Sequence, residues 1–123
     1  MPKVMLIEDD AVMLSLLQTL LEYEGFQTVQ LDGEETLSEI ISLVRREKPE
    51  LLLLDIHLRH LNGLDLLRML RQDDELKSIR VLVSSGMELS AQSHMEGADG
   101  FILKPYMPED LVSRIRDTLK TGV

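Results

Sequence analysis

The sequence has no cysteine and no tryptophan, and aromatic residues make up only 3% of it. The missing thiols exclude disulfides, thiolate metal sites and cysteine nucleophiles together. A cysteine-free chain suits a reducing compartment, so the expected location is the cytoplasm. With so few rings there is no stacking platform for bases or sugars, and the core has to be aliphatic. Basic residues are also scarce: 13 Lys and Arg stand against 22 Asp and Glu, for a net charge of −9. That balance works against binding nucleic-acid phosphates and against adsorption to anionic membranes. No apolar run approaches the ~18 residues of a membrane span. The start, MPKVMLIEDD, has one lysine and a short apolar run, far less than a signal peptide carries. Repeats, low-complexity tracts and linkers are absent too. What remains is ordinary globular material, 123 residues of which 44% are hydrophobic and 28% charged. At ~150 residues per domain, this reads as one domain over 1–123 with enough apolar side chains for a core.

Short apolar runs alternate with amphipathic stretches. VMLI (4–7) stops at Glu8, and residues 11–23 then place Met13, Leu16, Leu17, Leu20 and Leu21 at helical spacing, with Gly25 to end the helix. QTVQL (27–31) reads as a half-polar edge strand, and Leu37, Ile40, Ile41 and Val44 mark a second helix that Pro49 closes. LLLL (51–54) stops at Asp55 and precedes a helical stripe of Leu64, Leu67 and Leu70. VLV (81–83) stops at Ser84 and Ser85; residues 87–96 then predict a weak helix anchored by Leu89, Ala91 and Met95 and ended by Gly97. FIL (101–103) stops at Lys104 and Pro105. Pro108 opens a last helix, with Glu109 and Asp110 in its first turn and Leu111, Ile115 and Leu119 as its stripe. The seven methionines are expected as core filler. His57, His60 and His94 lack metal-ligand spacing and are expected at the surface.

Such alternation predicts an α/β fold, a doubly wound five-stranded parallel sheet flanked by five helices. VMLI, LLLL and VLV are apolar throughout, as strands buried on both faces require. The flavodoxin-like strand order 2-1-3-4-5 is the one most compatible with these units. In a parallel sheet the carboxyl ends share one rim, and ligands bind there at the switch in strand order. That rim collects Glu8, Asp9, Asp10, Asp55, Ser84, Ser85 and Lys104. Asp10 reads as a helix N-cap. The carboxylates of Glu8, Asp9 and Asp55 outnumber the single ammonium of Lys104. A hard divalent cation restores the balance, and Mg2+ suits a few carboxylates plus retained water. Magnesium, an ammonium, a hydroxyl and a free carboxylate are the groups phosphoryl transfer requires, and aspartate can accept the phosphoryl group. Each residue taken singly has an ordinary reading as a cap, a turn or a surface residue. Their convergence on one rim outweighs those readings.

IEDD (7–10), LLLLDIHL (51–58) with Gly63, VLVSSG (81–86) and GADGFILKP (97–105) together make the chain resemble a response-regulator receiver domain over essentially its whole length. The resemblance implies that Asp55 is the phosphoacceptor. It implies Asp9 as the direct magnesium ligand, Glu8 as an acidic neighbour acting mainly through water, and the backbone carbonyl of His57 as the last protein ligand. Ser85 takes the place of the switch hydroxyl and Phe101 that of the aromatic rotamer switch. Lys104 takes the place of the lysine that contacts the phosphoryl group, preceding a cis peptide to Pro105. The implied donor is a sensor histidine kinase or a phosphotransfer protein. The implied output is a changed affinity of the face formed by the fourth helix, fifth strand and last helix for a downstream protein or output domain. Direct contact with nucleic acid or membrane is not implied, nor is enzymatic turnover beyond assistance to the domain's own phosphorylation and dephosphorylation.

Two features depart from the common pattern. Arg59 stands where a proline often follows the phosphorylated strand, which predicts a less rigid loop. His57 and Met87 occupy positions that in the resembled family tune water access to the acyl phosphate, and their bulk predicts slow phosphate loss. Competing readings fit less well. A phosphate-independent binding module usually lacks the acceptor, the acids or the lysine, all present here. A magnesium-dependent phosphohydrolase would usually carry a second acid where His57 stands, together with a cap insertion. A flavin site would need a phosphate-cradling loop after the first strand. The start MPKVML favours a true N-terminus, and TGV (121–123) reads as the beginning of a linker. The domain then either works alone or is the receiver part of a longer chain. A phosphorylation-dependent homodimer through the last helix and strand is compatible with the sequence but not required by it.

Overall fold

The computed structural model describes residues 1–120, so the reading of TGV (121–123) as a linker lies outside the described residues. The chain runs β1 (Lys3–Ile7), α1 (Ala11–Tyr23), β2 (Gln27–Leu31), α2 (Leu37–Glu47), β3 (Leu51–Asp55), α3 (Gly63–Gln72), β4 (Arg80–Ser85), α4 (Ser90–Met95), β5 (Gly100–Leu103) and α5 (Pro108–Lys120). All strand pairings are parallel, as the alternation predicts, and the order is β2-β1-β3-β4-β5, the flavodoxin-like order expected as most compatible with these units. The runs without a polar face, in β1, β3 and β4, lie in the middle, while the half-polar QTVQL pairs only with β1 at an edge.

Successive strand residues point to opposite faces, and this divides the core in two. Met5, Ile7, Leu52, Leu54, Val81 and Val83 pack with Ile40, Ile41 and Val44 of α2 and Leu66, Leu67 and Leu70 of α3. Val4, Leu6, Leu51, Leu53 and Leu82 pack on the other face with Leu17 and Leu21 of α1 and Leu111, Val112 and Ile115 of α5. Helix starts follow local chemistry. Asp10 accepts hydrogen bonds from the backbone N–H groups of Val12 and Met13, as an N-cap should. Thr36 and Glu39 form a reciprocal capping box at α2. Gly63 opens α3 against the end of β3, where a Cβ would meet the Cα of Ile56 at 2.6 Å.

Several expectations need correction. Leu16 is 61% exposed; the inner stripe of α1 is Leu17 and Leu21, flanked by Met13, Leu14 and Leu20. The weak helix is shorter than 87–96, covering only Ser90–Met95, and its N-cap residue Leu89 makes no side-chain cap bond. Leu89 packs on the core, but Ala91 is exposed and Met95 is 85% exposed. Polar ties from α3 hold the end of α4 instead. Arg68 bonds Glu96 at 2.8 Å, and Arg71 bonds both the Gly97 carbonyl and Asp99 at 2.8 Å. The methionines are mostly not core filler. Met5 is buried in β1, whereas Met1, Met69, Met87, Met95 and Met107 are exposed, because their loops and outer helix faces point away from the sheet. The three histidines are exposed, as expected.

Candidate functional site

The order reverses between β1 and β3, and the acids gather there. Ile7 ends β1, so Glu8 and Asp9 emerge at the rim beside Asp55, the last residue of β3. One carboxylate oxygen from each of Glu8, Asp9 and Asp55 lies within 4.8 Å of the others. Lys104 arrives from the end of β5 after a chain separation of 96 residues and donates to Glu8 Oε1 at 2.8 Å and to Asp55 Oδ2 at 3.1 Å. The peptide from Lys104 to Pro105 is cis. Asp55 Oδ1 accepts the backbone N–H of His57 at 2.9 Å, and Glu8 Oε2 accepts that of Asp10 at 3.2 Å. Glu8 and Asp55 are buried, at 4% and 6% exposure.

Burial raises the pKa of Glu8 above the usual carboxylate range, although the Lys104 hydrogen bond opposes the rise. For Lys104, burial works to lower the pKa, but the Glu8 hydrogen bond and the charges of Asp55 and Glu8 carry it above its ordinary value. The ammonium therefore stays charged between two acids. The donor set is three clustered carboxylates, all oxygen, which fits a hard divalent cation such as Mg2+.

Ser85, fully buried at the end of β4, is engaged twice: its Oγ accepts the Met87 N–H at 2.9 Å and lies 2.8 Å from His57 Nε2. Phe101 is half-buried in β5, in register with Val83, and packs against the face of the sheet that carries α2 and α3. Ser84 pairs in register with Asp55. Every residue expected at the rim is thus at the rim.

Sequence reading missed three features. The ring of His57 reaches Ser85. Tyr106, two positions after Lys104, is partly buried beside the site, and its hydroxyl pKa is pushed up to about 12, mainly by burial. Arg59, expected only to loosen its loop, is instead bonded to Asp9 by its backbone N–H at 2.8 Å, its Nε at 3.3 Å and its Nη2 at 3.2 Å.

The sequence profile described as "Response regulator receiver domain" matches residues 4–116. The chain belongs to the response-regulator receiver family. The transcriptional regulatory protein CpxR of Escherichia coli is 38% identical to this receiver over 122 residues, which are 98% of this chain and 50% of CpxR. The DNA-binding response regulator MtrA of Mycobacterium tuberculosis is 33% identical over 119 residues, 96% of this chain and 50% of MtrA. The receiver therefore spans about half the length of these relatives. Among solved structures, the BeF3-activated N-terminal receiver domain of Klebsiella pneumoniae RstA superposes with a TM-score of 0.82 at 28% identity, covering 97% of this chain and 99% of that one. Receivers of this family generally bind Mg2+ in an acidic pocket and accept a phosphoryl group. Among the described residues, no helix is long and apolar enough to cross a membrane.

Proposed function

We propose that this receiver is a phosphorylation switch that takes its phosphoryl group onto Asp55 from a sensor histidine kinase or a phosphotransfer protein. The observation that carries the reading is Asp55 itself: a carboxylate at the end of a buried strand, 3.1 Å from the Lys104 amine and clustered with Glu8 and Asp9. In the transfer, an oxygen of Asp55 bonds to phosphorus as the bond from phosphorus to the donor's imidazole nitrogen breaks, and the imidazole leaves with the electron pair. Asp9, Asp55 and the backbone carbonyl of His57, with Glu8 acting mainly through water, would hold Mg2+, which when bound neutralises phosphoryl oxygens. Lys104 donates to a phosphoryl oxygen. Ser85 turns from His57 to another, and Phe101 moves into the space Ser85 leaves.

The short α4, with no side-chain N-cap and few apolar anchors, supports an element that moves at low cost. Met95 on α4, Leu103 on β5 and Met107 before α5 are exposed. They supply apolar surface on the α4-β5-α5 face whose affinity for a downstream protein, an output domain or a second copy would change. The domain is a signalling phosphoacceptor, not a turnover enzyme, and its cysteine-free sequence supports a cytoplasmic setting. Given relatives named as a DNA-binding response regulator and a transcriptional regulatory protein, transcription is the process it would control. It would do so through an attached or separate output domain and not by nucleic-acid contacts of its own acidic surface.

The test is incubation with acetyl phosphate and Mg2+, read by intact mass, on the wild type and Asp55→Asn. A magnesium-dependent phosphoryl adduct that disappears in Asp55→Asn is expected. A folded, magnesium-binding wild type that gains no adduct from acetyl phosphate or from a phosphorylated donor protein would point to a phosphate-independent binding module.

A further inference from the structure

We propose that Arg59 is a built-in competitor of the metal: it holds Asp9 in the metal-free domain and sets the Mg2+ concentration at which the acceptor pocket is loaded. The inference rests on the reading of Asp9 as a magnesium ligand. Three donors of one residue, 50 positions away in the chain, converge on Asp9. The backbone N–H and Nε both bond Oδ2, at 2.8 and 3.3 Å, while Nη2 bonds the main-chain carbonyl at 3.2 Å. Lys104 is bonded to Glu8 and Asp55. The two cations thus divide the three clustered carboxylates between them, and Asp9 is the share of Arg59.

The burial is lopsided in an informative way. The Asp9 side chain is 14% exposed and that of Arg59 is 69% exposed. The guanidinium reaches over the rim from solvent, so swinging it away uncovers little surface. It cannot lose its proton in a protein, so it yields to a metal only by moving. A divalent ion entering the pocket meets a ligand carboxylate one of whose oxygens already accepts two N–H groups, with a permanent positive charge beside it. A proline at this position could supply neither the N–H nor the charge.

Exposed charge pairs shift equilibria modestly, and the double charge of the metal enlarges the effect, so removal of the guanidinium should tighten Mg2+ binding about threefold to tenfold. The experiment is calorimetric titration of Mg2+ into wild type, Arg59→Ala, Arg59→Gln and Arg59→Lys at constant ionic strength, with folding checked by circular dichroism. Tighter binding is expected for Ala and for Gln, with near-wild-type affinity for Lys, and the gain should shrink at high salt. Unchanged or weaker binding in folded Ala and Gln variants overturns the proposal, as does an equal gain in Arg59→Lys. The acetyl phosphate assay on the same samples separates the two readings. Adduct formation with unchanged Mg2+ affinities removes only the role of Arg59, whereas tightened affinities without any adduct remove only the phosphoacceptor.

Discussion

Replacing Lys104 with methionine removes the amine shared by Glu8 and Asp55 while keeping most of its aliphatic stem. In the wild type that amine sits 2.8 Å from Glu8 Oε1 and 3.1 Å from Asp55 Oδ2, and the two acids are only 4% and 6% exposed. Breaking a buried pair by deleting one partner costs about 3–5 kcal/mol, because the remaining charge is left uncompensated. The Lys104 side chain is 25% exposed, so screening by water on that side brings the expected loss down to about 2–3 kcal/mol. Magnesium should return much of it. A ligand bound only by the native state adds about 2.7 kcal/mol at a hundredfold excess over Kd, and with the ammonium gone the acids attract a cation more strongly. The assay is urea unfolding at pH 7 followed by far-ultraviolet circular dichroism, once with a chelator and once with Mg2+, with the slopes compared to confirm a common unfolding transition. The variant should lose stability in chelator and gain more from Mg2+ than the wild type gains. Wild-type stability in chelator, or the same loss in both conditions, would refute the claim that Lys104 acts as a counter-ion and not as packing.

Glu8 sets a pH signature. Its pKa is raised, mainly by burial, so the folded state holds this proton more tightly than the unfolded chain, where Glu titrates near ~4.3. The Glu8 contribution therefore destabilises as pH rises from ~4.3 through the folded pKa, and that cost persists above it. Glu8→Gln should gain stability relative to the wild type as pH rises through this window, and a pH-independent difference between the two would count against the assignment. Met87, 60% exposed near the site, is expected to obstruct water, so Met87→Ala should shorten the lifetime of the phosphoryl adduct about threefold or more, a barrier change of ~0.7 kcal/mol. An unchanged or longer lifetime after donor removal would end that reading. In Gly63→Ala the new Cβ would lie 2.6 Å from Ile56 Cα and 3.1 Å from the Asp55 carbonyl oxygen. Overpacking there should cost about 1–3 kcal/mol and reduce adduct yield by shifting Asp55, and a variant as stable and as reactive as the wild type would show that the loop gives way freely.

Local pattern alone determined the skeleton. Runs without a polar face could only be strands covered on both sides, and each ended at a polar residue, so Glu8, Asp55, Ser85 and Lys104 could be assigned to one rim without coordinates. Asp10 was legible as a cap because capping is a contact between near neighbours in the chain. Tertiary structure decided whatever depends on partners far away. Leu16 and Leu17 are indistinguishable as apolar helix positions, yet only packing on the sheet makes Leu17 the buried one. Leu89 was legible as an anchor at the start of α4, but what holds the other end could not be read from its own residues, because Arg68 and Arg71 of α3 supply it. The ring of His57 meets Ser85 across 28 residues, and Arg59 meets Asp9 across 50. Polar contacts of that reach have no period for a sequence to display; they exist only once a parallel sheet has brought the ends of its strands to the same edge.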